Sequence, residues 1–288
     1  MSRSYDATSL PNRWVIAIAA FFMQLALGSV YAWSVFLTQV VKDYQVSKVQ
    51  GNLTFSIVLL ALGITAGFGG YLHNRFGPRV IATIGGILYG LGVFLAGFTA
   101  PSLTLLYLTF GILGGIGVGL AYIVPLAMLI RWFPDRRGFI TGLAVAGFGL
   151  GAFFTSPIAA SLIKSIGLNS TFIYLGIAYL VIVVITAQFF RSAPENYVPA
   201  GWTPSVRQAT ARTAHDYTLV EALRIPRWYL LWLMLALNVT AGAALISVAS
   251  PLTVKFTGVD ALTASFLVST ISIFNGAGRL FWGWVSDG

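Results

Sequence analysis

Eight long apolar stretches, separated by short polar segments, occupy most of the chain. They cover residues 14–38, 52–72, 80–99, 103–130, 139–163, 170–190, 228–254 and 261–286. Since an α-helix rises about 1.5 Å per residue, a stretch of about 20 residues is long enough to cross a hydrocarbon core of about 30 Å. The two-residue alternation of membrane β-strands does not occur in them. The pattern therefore predicts an all-α integral membrane protein, whose helices are numbered here span 1 to span 8.

The composition agrees with this class. Hydrophobic residues make up 57% of the chain and charged residues 9%, whereas soluble domains carry about 25% charge. The mean hydropathy is +0.84. We therefore expect the lipid bilayer as the main surrounding of the protein. The chain contains no cysteine, which excludes disulfides, thiolate metal sites and a cysteine nucleophile.

The formal net charge of +9 is unevenly distributed over the loops. Four lysines, Lys42, Lys48, Lys164 and Lys255, fall on one side of the predicted membrane. Twelve arginines fall on the other: Arg3, Arg13, Arg75, Arg79, Arg131, Arg136, Arg137, Arg191, Arg207, Arg212, Arg224 and Arg227. By the positive-inside rule, the N-terminus and the even-numbered loops are cytoplasmic, and the protein is a multi-pass protein of the cell membrane, inner or plasma. The basicity is thus a topology signal, and we expect no nucleic-acid partner.

Three tryptophans stand directly after arginines of these loops. Trp14, Trp132 and Trp228 are therefore expected at the membrane interface, where tryptophan side chains are enriched.

A weak internal repeat divides the chain. Arg13-Trp14 is matched by Arg227-Trp228, and Gly28 by Gly242, in each case 214 residues later. Gly70, followed by Asn74, is matched by Gly283, followed by Asp287, 213 residues later. The repeat predicts a six-helix bundle over 1–190, a cytoplasmic linker over 191–227 and the first two helices of a second bundle over 228–288. We expect about twelve spans in an intact parent, and no transport by residues 1–288 alone.

Arg279 is the one charge that lies well inside any of the eight stretches. An arginine at membrane depth costs about 2.5–3.5 kcal/mol on insertion scales. Gly276 and Gly278 leave space beside it, and Asn275 lies one turn before it on the same helix face. The planar guanidinium matches a carboxylate with two parallel hydrogen bonds, so we favour carboxylate binding. Pairing with backbone carbonyls or a polar neighbour, and snorkelling to the interface, are the alternatives.

Groups for catalysis or energy coupling are missing at membrane depth. No span contains Asp or Glu, and His73 and His215 both fall in predicted loops. The chain has no nucleotide-binding loop and no serine–histidine–acid set within the spans. We therefore expect no enzyme, no cofactor and no metal, and a transport mode of exchange or uniport rather than ATP-driven pumping. A binding-only sensor is disfavoured because the linker is short and basic.

Several stretches carry a family resemblance. NRW at 12–14, VYAWSVF at 30–36, RWFPDRRG at 131–138 and NGAGRLFWGWVSD at 275–287 resemble the oxalate/formate antiporter family of the major facilitator superfamily. GYLHNRFGPR at 70–79 resembles the loop 2–3 signature of the whole superfamily. The resemblance covers essentially the whole chain. It implies a major-facilitator-type helical bundle with eight of an expected twelve spans present.

The resemblance also implies a site and a gate. Arg279 corresponds to the carboxylate-binding arginine of that family, whose partner lysine is expected in span 11, beyond this chain. Asn275 shares its helix face, and the cavity lining corresponds to Tyr31, Trp33, Asn52, Tyr122 and Phe148. The gating motif corresponds to Gly70, Asn74, Arg75, Gly77 and Arg79, with Asp287 as its second copy. Asn74 stands where the family has an acid, so that latch is expected to be weaker.

These features predict a secondary transporter of small organic anions that works by alternating access as a monomer. Oxalate, formate and other monocarboxylates are the expected substrates. Val30 and Phe148 stand where family members can have glutamine and tyrosine, which favours a less polar monocarboxylate such as formate, lactate or pyruvate. The alternatives are a carrier of a neutral or drug-like solute, with Arg279 structural, and a truncated fragment that does not transport.

Overall fold

Every element in the computed structural model is helical over the residues that it describes, which are 10–195, 197–199, 201–203 and 219–287. No strand occurs within those ranges, so the all-α fold class is confirmed. His215 and the linker arginines Arg207 and Arg212 lie outside the described residues.

The spans fall close to where the hydropathy pattern places them. Span 1 covers Arg13–Asp43, span 2 Lys48–Phe76, span 3 Pro78–Ala96 and span 4 Leu103–Trp132. Spans 5 and 6 share the helical stretch Arg137–Ala187, span 7 is Pro226–Thr257 and span 8 is Ala261–Val285. A short helix, Leu219–Ala222, precedes span 7.

Gly167 separates spans 5 and 6. The stretch Arg137–Ala187 has 51 residues and would be about 75 Å long as one straight helix, far more than a bilayer needs. Gly167 has φ 81° and ψ 170°, a conformation that is essentially restricted to glycine. The chain therefore turns back there, and span 5 covers 137–166 and span 6 covers 168–187.

Side-chain caps determine where several spans begin. Ser47 accepts a hydrogen bond from the Gln50 amide while the Gln50 side chain accepts one from the Ser47 amide, a capping box that starts span 2 ahead of its apolar part. Asp260 caps span 8 by accepting from Thr263, and these hydrogen bonds lower the pKa of the Asp260 carboxyl. Polar caps thus explain why spans begin outside the apolar stretches.

Two spans depart from regular α-helix in the middle. Span 1 tightens into a 3₁₀ turn over Gly28–Ala32, and span 4 widens into a π-helical segment over Tyr107–Gly114. At the first of these, a β-carbon on Gly28 would lie 1.9 Å from the Phe148 carbonyl oxygen, and one on Gly151 would lie 2.2 Å from the Gly28 carbonyl carbon. Only glycine permits this close crossing of spans 1 and 5.

Spans 1 and 4 lie deepest in the described arrangement, and span 7 lies at its periphery. In the most apolar 18-residue window of each span, 67% of the residues of span 1 are buried, but only 11% of those of span 7. An aromatic cluster fills the interior of the first six spans: Phe36 stacks on Phe172 at 5.1 Å between ring centroids, and Trp33 lies 5.0 Å from Phe110. Packing here comes from side chains of three different spans, 1, 4 and 6.

Polar contacts lie at the two ends of the bundle, and each end is named here after one of its residues. The Arg13 face contains Arg13, Asp135 and Asp287, and Arg13 forms an ion pair of 2.6 Å with Asp135. The Tyr44 face contains Tyr44, Thr99 and Asp260. Tyr44 and Thr99 share a hydrogen bond of 2.6 Å, and burial raises the pKa of the Tyr44 phenol.

Of the three tryptophans expected at the interface, Trp132 is placed differently. It is fully buried, its indole nitrogen donates to the Arg191 carbonyl at 2.8 Å, and its ring contacts Tyr197. Trp14 is 38% exposed and contacts Phe133. Trp132 therefore ties the loop after span 4 to the segment after span 6 instead of facing headgroups.

Candidate functional site

Spans 1, 7 and 8 enclose a chamber of about 440 Å³. Tyr31 of span 1 and Arg279 and Asn275 of span 8 lie on its wall. Span 7 contributes one helix face: Asn238, Val239, Gly242, Ala243 and Ile246. The chamber thus combines one cation, two amides and a phenol with apolar side chains, the mixture typical of a small-molecule site.

Arg279 is half-buried and lacks a charged partner. Its Nη1 donates to the Val145 carbonyl of span 5 at 3.3 Å. The Arg13 ion pair is with Asp135, and no described carboxylate lies within 4 Å of the guanidinium nitrogens of Arg279. A second cavity, of about 470 Å³, also reaches Arg279 between spans 5 and 8. The guanidinium therefore borders both cavities.

Tyr31, Phe148 and Tyr122 form an aromatic row next to this cation. The Phe148 ring lies edge-on to Tyr31 at 5.1 Å and to Tyr122 at 5.0 Å. Tyr31 reaches the chamber from the 3₁₀ turn of span 1, which is held against the backbone of Phe148 by the Gly28 contact. The structure therefore brings together five of the predicted residues: Arg279, Asn275, Tyr31, Phe148 and Tyr122.

Trp33 and Asn52 are placed elsewhere. Trp33 is fully buried in the aromatic cluster with Phe110 and Phe36, away from the chamber wall. Asn52 donates from its Nδ2 to the Ser247 hydroxyl of span 7 at 3.1 Å, and its own oxygen is buried without a partner in the described residues. Trp33 packs within the first six spans, and Asn52 bridges spans 2 and 7.

The chamber is constricted towards the Tyr44 face. Beyond Tyr31 and Asn275, the space narrows to a cavity of about 10 Å³ between Ala152, Ile246 and Val268. Such a space holds about one water molecule at most. Apolar packing of spans 5, 7 and 8 therefore closes this side.

Spans 5 and 8 are joined by hydrogen bonds along most of their length. Ser269 donates to the Phe153 carbonyl at 2.9 Å, and Ser272 donates to the Gly149 carbonyl at 2.5 Å. Nearer the Arg13 face, a β-carbon on Gly283 would lie 2.6 Å from the Gly138 carbonyl oxygen. These contacts hold the two backbones too close for larger side chains.

Asp287 closes this contact at the Arg13 face. Its two carboxylate oxygens accept from the backbone amides of Gly138 and Phe139 at 2.6 and 2.7 Å. Span 5 begins at Arg137, so the carboxylate occupies the positive end of that helix. Asp287 therefore caps a different span from its own.

The remaining residues of the predicted gating motif lie at the end of span 2. Asn74 accepts from Arg131 at 3.3 Å, and the Arg75 guanidinium lies 5.4 Å from the centre of the Phe76 ring. Gly77 ends the span with φ 84°, and the Nε of Arg79 is buried without a hydrogen bond in the described residues. Gly70 meets no atom within 4 Å where its β-carbon would be. Asn74 thus contacts span 4, whereas Asp287 contacts span 5.

Two amides near the site were not predicted from the sequence. Asn238 of span 7 lines the chamber. Gln24 of span 1 is fully buried, and its Nε2 donates to the Tyr122 carbonyl at 3.2 Å. Both are polar residues inside apolar stretches, a signal that was available because such residues are costly in membranes.

Apolar helices long enough to cross a membrane, packed against one another, define a polytopic membrane protein. The Major Facilitator Superfamily model matches residues 14–288, and the chain belongs to this family.

Several named proteins are similar to it. The chain is 32% identical over 276 residues to the uncharacterized MFS-type transporter YhjX of Escherichia coli (strain K12), covering 96% of this chain and 66% of that protein. It is 31% identical over 283 residues to the oxalate:formate antiporter of Oxalobacter formigenes, covering 96% and 64%. It is 27% identical over 281 residues to monocarboxylate transporter 13 of Rattus norvegicus, covering 95% and 61%. The chain therefore spans a little under two thirds of the length of these relatives.

The fold is also similar to a solved structure. The crystal structure of a D-xylose-proton symporter superposes with a TM-score of 0.58 at 16% sequence identity, covering 92% of this chain and 66% of that one. At this identity the likeness concerns the fold alone.

Proposed function

We propose that this protein is a secondary transporter of small organic anions, with monocarboxylates as its main substrates. The observation that carries the proposal is Arg279, a cation that faces an internal chamber without a described acid beside it. The names of its relatives, an oxalate:formate antiporter and monocarboxylate transporter 13, support the same substrate class. Exchange or uniport is the proposed mode.

The electrostatics of Arg279 favour an anionic ligand. A guanidinium has five N–H donors, and the Val145 carbonyl accepts only one of them. Taking the remaining donors out of bulk water is costly unless they find acceptors. A carboxylate supplies a compensating charge and two oxygens at the spacing of the guanidinium fork. The substrate would therefore complete the site.

Alternating access would require the contact between spans 5 and 8 to open and close. The contact extends from Ser269 to Asp287, and Asn52–Ser247 adds a bridge between spans 2 and 7. In the proposed cycle, a bundle formed by residues 1–190 rocks against the part that begins at span 7. The Arg13 face is proposed to be cytoplasmic, because twelve arginines precede or connect the spans on that side.

The proposal further includes a monomer in the cell membrane, inner or plasma, without a cofactor.

Asn74 and Asp287 are proposed as unequal latches. Asp287 places a full charge at a helix N-terminus, whereas Asn74 offers a neutral amide to Arg131. Arg131 is itself charged, so both contacts are charge-assisted. Asp287 accepts two short hydrogen bonds, of 2.6 and 2.7 Å, and Asn74 accepts one of 3.3 Å, so the Asp287 latch would be the stronger.

The transport test uses the natural gene product in proteoliposomes. Uptake of radiolabelled lactate, formate and oxalate is compared with uptake of a neutral sugar, for the natural protein and for Arg279→Gln. The proposal predicts anion uptake that Arg279→Gln abolishes. The opposite result is that the natural protein takes up the neutral sugar but no anion, and that Arg279→Gln still takes up the sugar. It would establish a neutral-solute carrier in which Arg279 is structural.

A further inference from the structure

We propose that Asn238 determines substrate specificity by hydrogen-bonding a neutral oxygen of the substrate while Arg279 holds its carboxylate. The proposal rests on the proposed function, since it assigns a second contact within the same chamber. Asn238 and Arg279 lie on the same chamber wall, one on span 7 and one on span 8. Nothing in the sequence or fold otherwise requires an amide at this position.

Asn238 is exposed and makes no hydrogen bond within the described residues, although it lies inside a membrane span. The hydroxyl groups of span 7 behave differently. Thr240 donates to the Ala236 carbonyl, Ser247 to the Ala244 carbonyl and Thr253 to the Ala249 carbonyl. Each of these satisfies itself on its own helix. An amide left free at membrane depth is costly, and such groups are commonly functional.

The helix register directs Asn238 into the chamber. Asn238, Gly242 and Ile246 are four residues apart and share one face of span 7, and all three line the chamber. Gly242 carries no side chain and meets no atom within 4 Å of where a β-carbon would be. Space beside Asn238 is therefore open for a ligand that extends along this face.

The chamber is larger and more varied than a bare carboxylate requires. Its volume is about 440 Å³, whereas a water molecule takes a share of about 30 Å³ in the liquid. One cation is present, while Ile246 and Ala243 provide apolar wall. A ligand that matches this wall has one charged end, a short apolar body and one neutral polar group.

An amide suits that neutral group because it can both donate and accept. Its NH₂ can donate to a 2-oxo oxygen, and its oxygen can accept from a 2-hydroxyl. Tyr31 and Asn275 lie on the same wall, but Asn275 adjoins Arg279 on span 8 and Tyr31 contacts Phe148. Asn238 is the polar group of this wall that comes from span 7.

The test compares two acids that differ by one oxygen. Calorimetry measures the binding of 2-hydroxypropanoate and of propanoate to three purified proteins. These are the natural gene product, its variant Asn238→Leu and its control variant Thr240→Val. Leucine has nearly the same size as asparagine but no polar atoms. Thr240 lies two residues along the same span, is exposed, and is bonded to its own helix.

The natural protein is expected to prefer 2-hydroxypropanoate by about 10-fold, the effect of one hydrogen bond. Asn238→Leu should remove this preference, and Thr240→Val should keep it. An equal preference in Asn238→Leu and the natural protein would overturn the proposal, as would a natural protein that does not distinguish the acids. Should Asn238→Leu not assemble, Asn238→Ala is measured against the same two outcomes.

The outcome separates this inference from the proposed function. In one outcome, the natural protein binds both acids, Arg279→Gln binds neither, and Asn238→Leu shows the same preference as the natural protein. That result overturns only the role of Asn238, and the proposed anion carrier stands. A natural protein that binds neither acid overturns both.

Discussion

At the scale of single residues, two arginines show how surroundings decide the role of a charge. Arg13 forms two parallel bonds to Asp135, of 2.6 and 3.0 Å, and its guanidinium lies 4.5 Å from the centre of the Phe133 ring. Arg279 has one backbone carbonyl at 3.3 Å. The first is a completed structural contact between the start of span 1 and the loop after span 4. The second leaves most of its N–H donors without a described acceptor, which makes Arg279 the candidate for binding a ligand.

The Arg13–Asp135 pair gives the first prediction. Asp135→Asn should lower the free energy of unfolding by about 1–3 kcal/mol, because a charge-assisted fork in a largely buried place is lost. Thermal unfolding in detergent should show a melting temperature lower by several degrees. The reversed pair Arg13→Asp with Asp135→Arg should recover part of the loss. An unchanged melting temperature in Asp135→Asn would show that the pair adds nothing to stability.

At the scale of secondary-structure elements, the 3₁₀ turn of span 1 connects packing with the site. Gly28 crosses Gly151 and the Phe148 backbone at distances that exclude any side chain. Tyr31 follows within the same turn and contacts the Phe148 ring. The backbone crossing and the aromatic row therefore depend on one another.

This coupling gives the second prediction. Gly28→Ala should lower the free energy of unfolding by about 1–3 kcal/mol, since the added methyl forces spans 1 and 5 apart. The shift of Tyr31 and Phe148 should also weaken anion binding. Thermal unfolding and calorimetry measure the two effects. Gly67→Ala is the matched control, because no atom lies within 4 Å of its β-carbon position. Equal behaviour of the two variants would contradict the account of the crossing.

The positions of the spans could be predicted from the sequence because hydropathy directly reflects the requirement for a helix of membrane length. Arg279 and Asn275 could be predicted for a related reason, since a charge at depth is exceptional and helix periodicity places residues four apart on one face. Asp287 was identified by its likeness to a motif. Its contact with Gly138 and Phe139 required the structure.

Other placements depend on contacts distant in sequence. In a helix of 3.6 residues per turn, side chains two residues apart point about 200° away from each other, so Tyr31 and Trp33 are not expected on one cavity wall. Tyr31 lies at the chamber and Trp33 packs against Phe110 of span 4, a partner that only the structure identifies. Trp132 looked like an interfacial residue because it follows Arg131, but the Arg191 carbonyl, 59 residues later, accepts its N–H. Hydropathy and local spacing contain no information about such partners.

At the scale of the whole molecule, the described arrangement is closed between spans 5 and 8. Hydrogen bonds join the two spans near both ends, and Asn52 reaches Ser247 across spans 2 and 7. Alternating access as proposed requires some of these contacts to break in turn. Residues 1–288 contain no cysteine, so a cysteine pair introduced among them reports on one contact of these residues at a time.

The Asn52–Ser247 bridge gives the third prediction. A short bis-methanethiosulfonate reagent should join the two thiols of the double variant Asn52→Cys with Ser247→Cys through disulfide bonds, releasing methanesulfinate. The joined protein, prepared as the natural gene product in proteoliposomes, should no longer exchange anions. Uptake should return when the link is reduced. Asn52→Cys alone, treated in the same way, is the control. Full transport with the link in place would show that spans 2 and 7 need not separate.

The most direct measurement of the central claim is equilibrium binding of a monocarboxylate at Arg279. Calorimetry compares the affinity for 2-hydroxypropanoate of the purified natural gene product and of its variants Arg279→Lys and Arg279→Gln. Loss of a charge-assisted contact of about 1.5–3 kcal/mol predicts affinity about 10–100-fold weaker in Arg279→Gln, with Arg279→Lys in between. Unchanged affinity in a correctly folded Arg279→Gln would contradict the account.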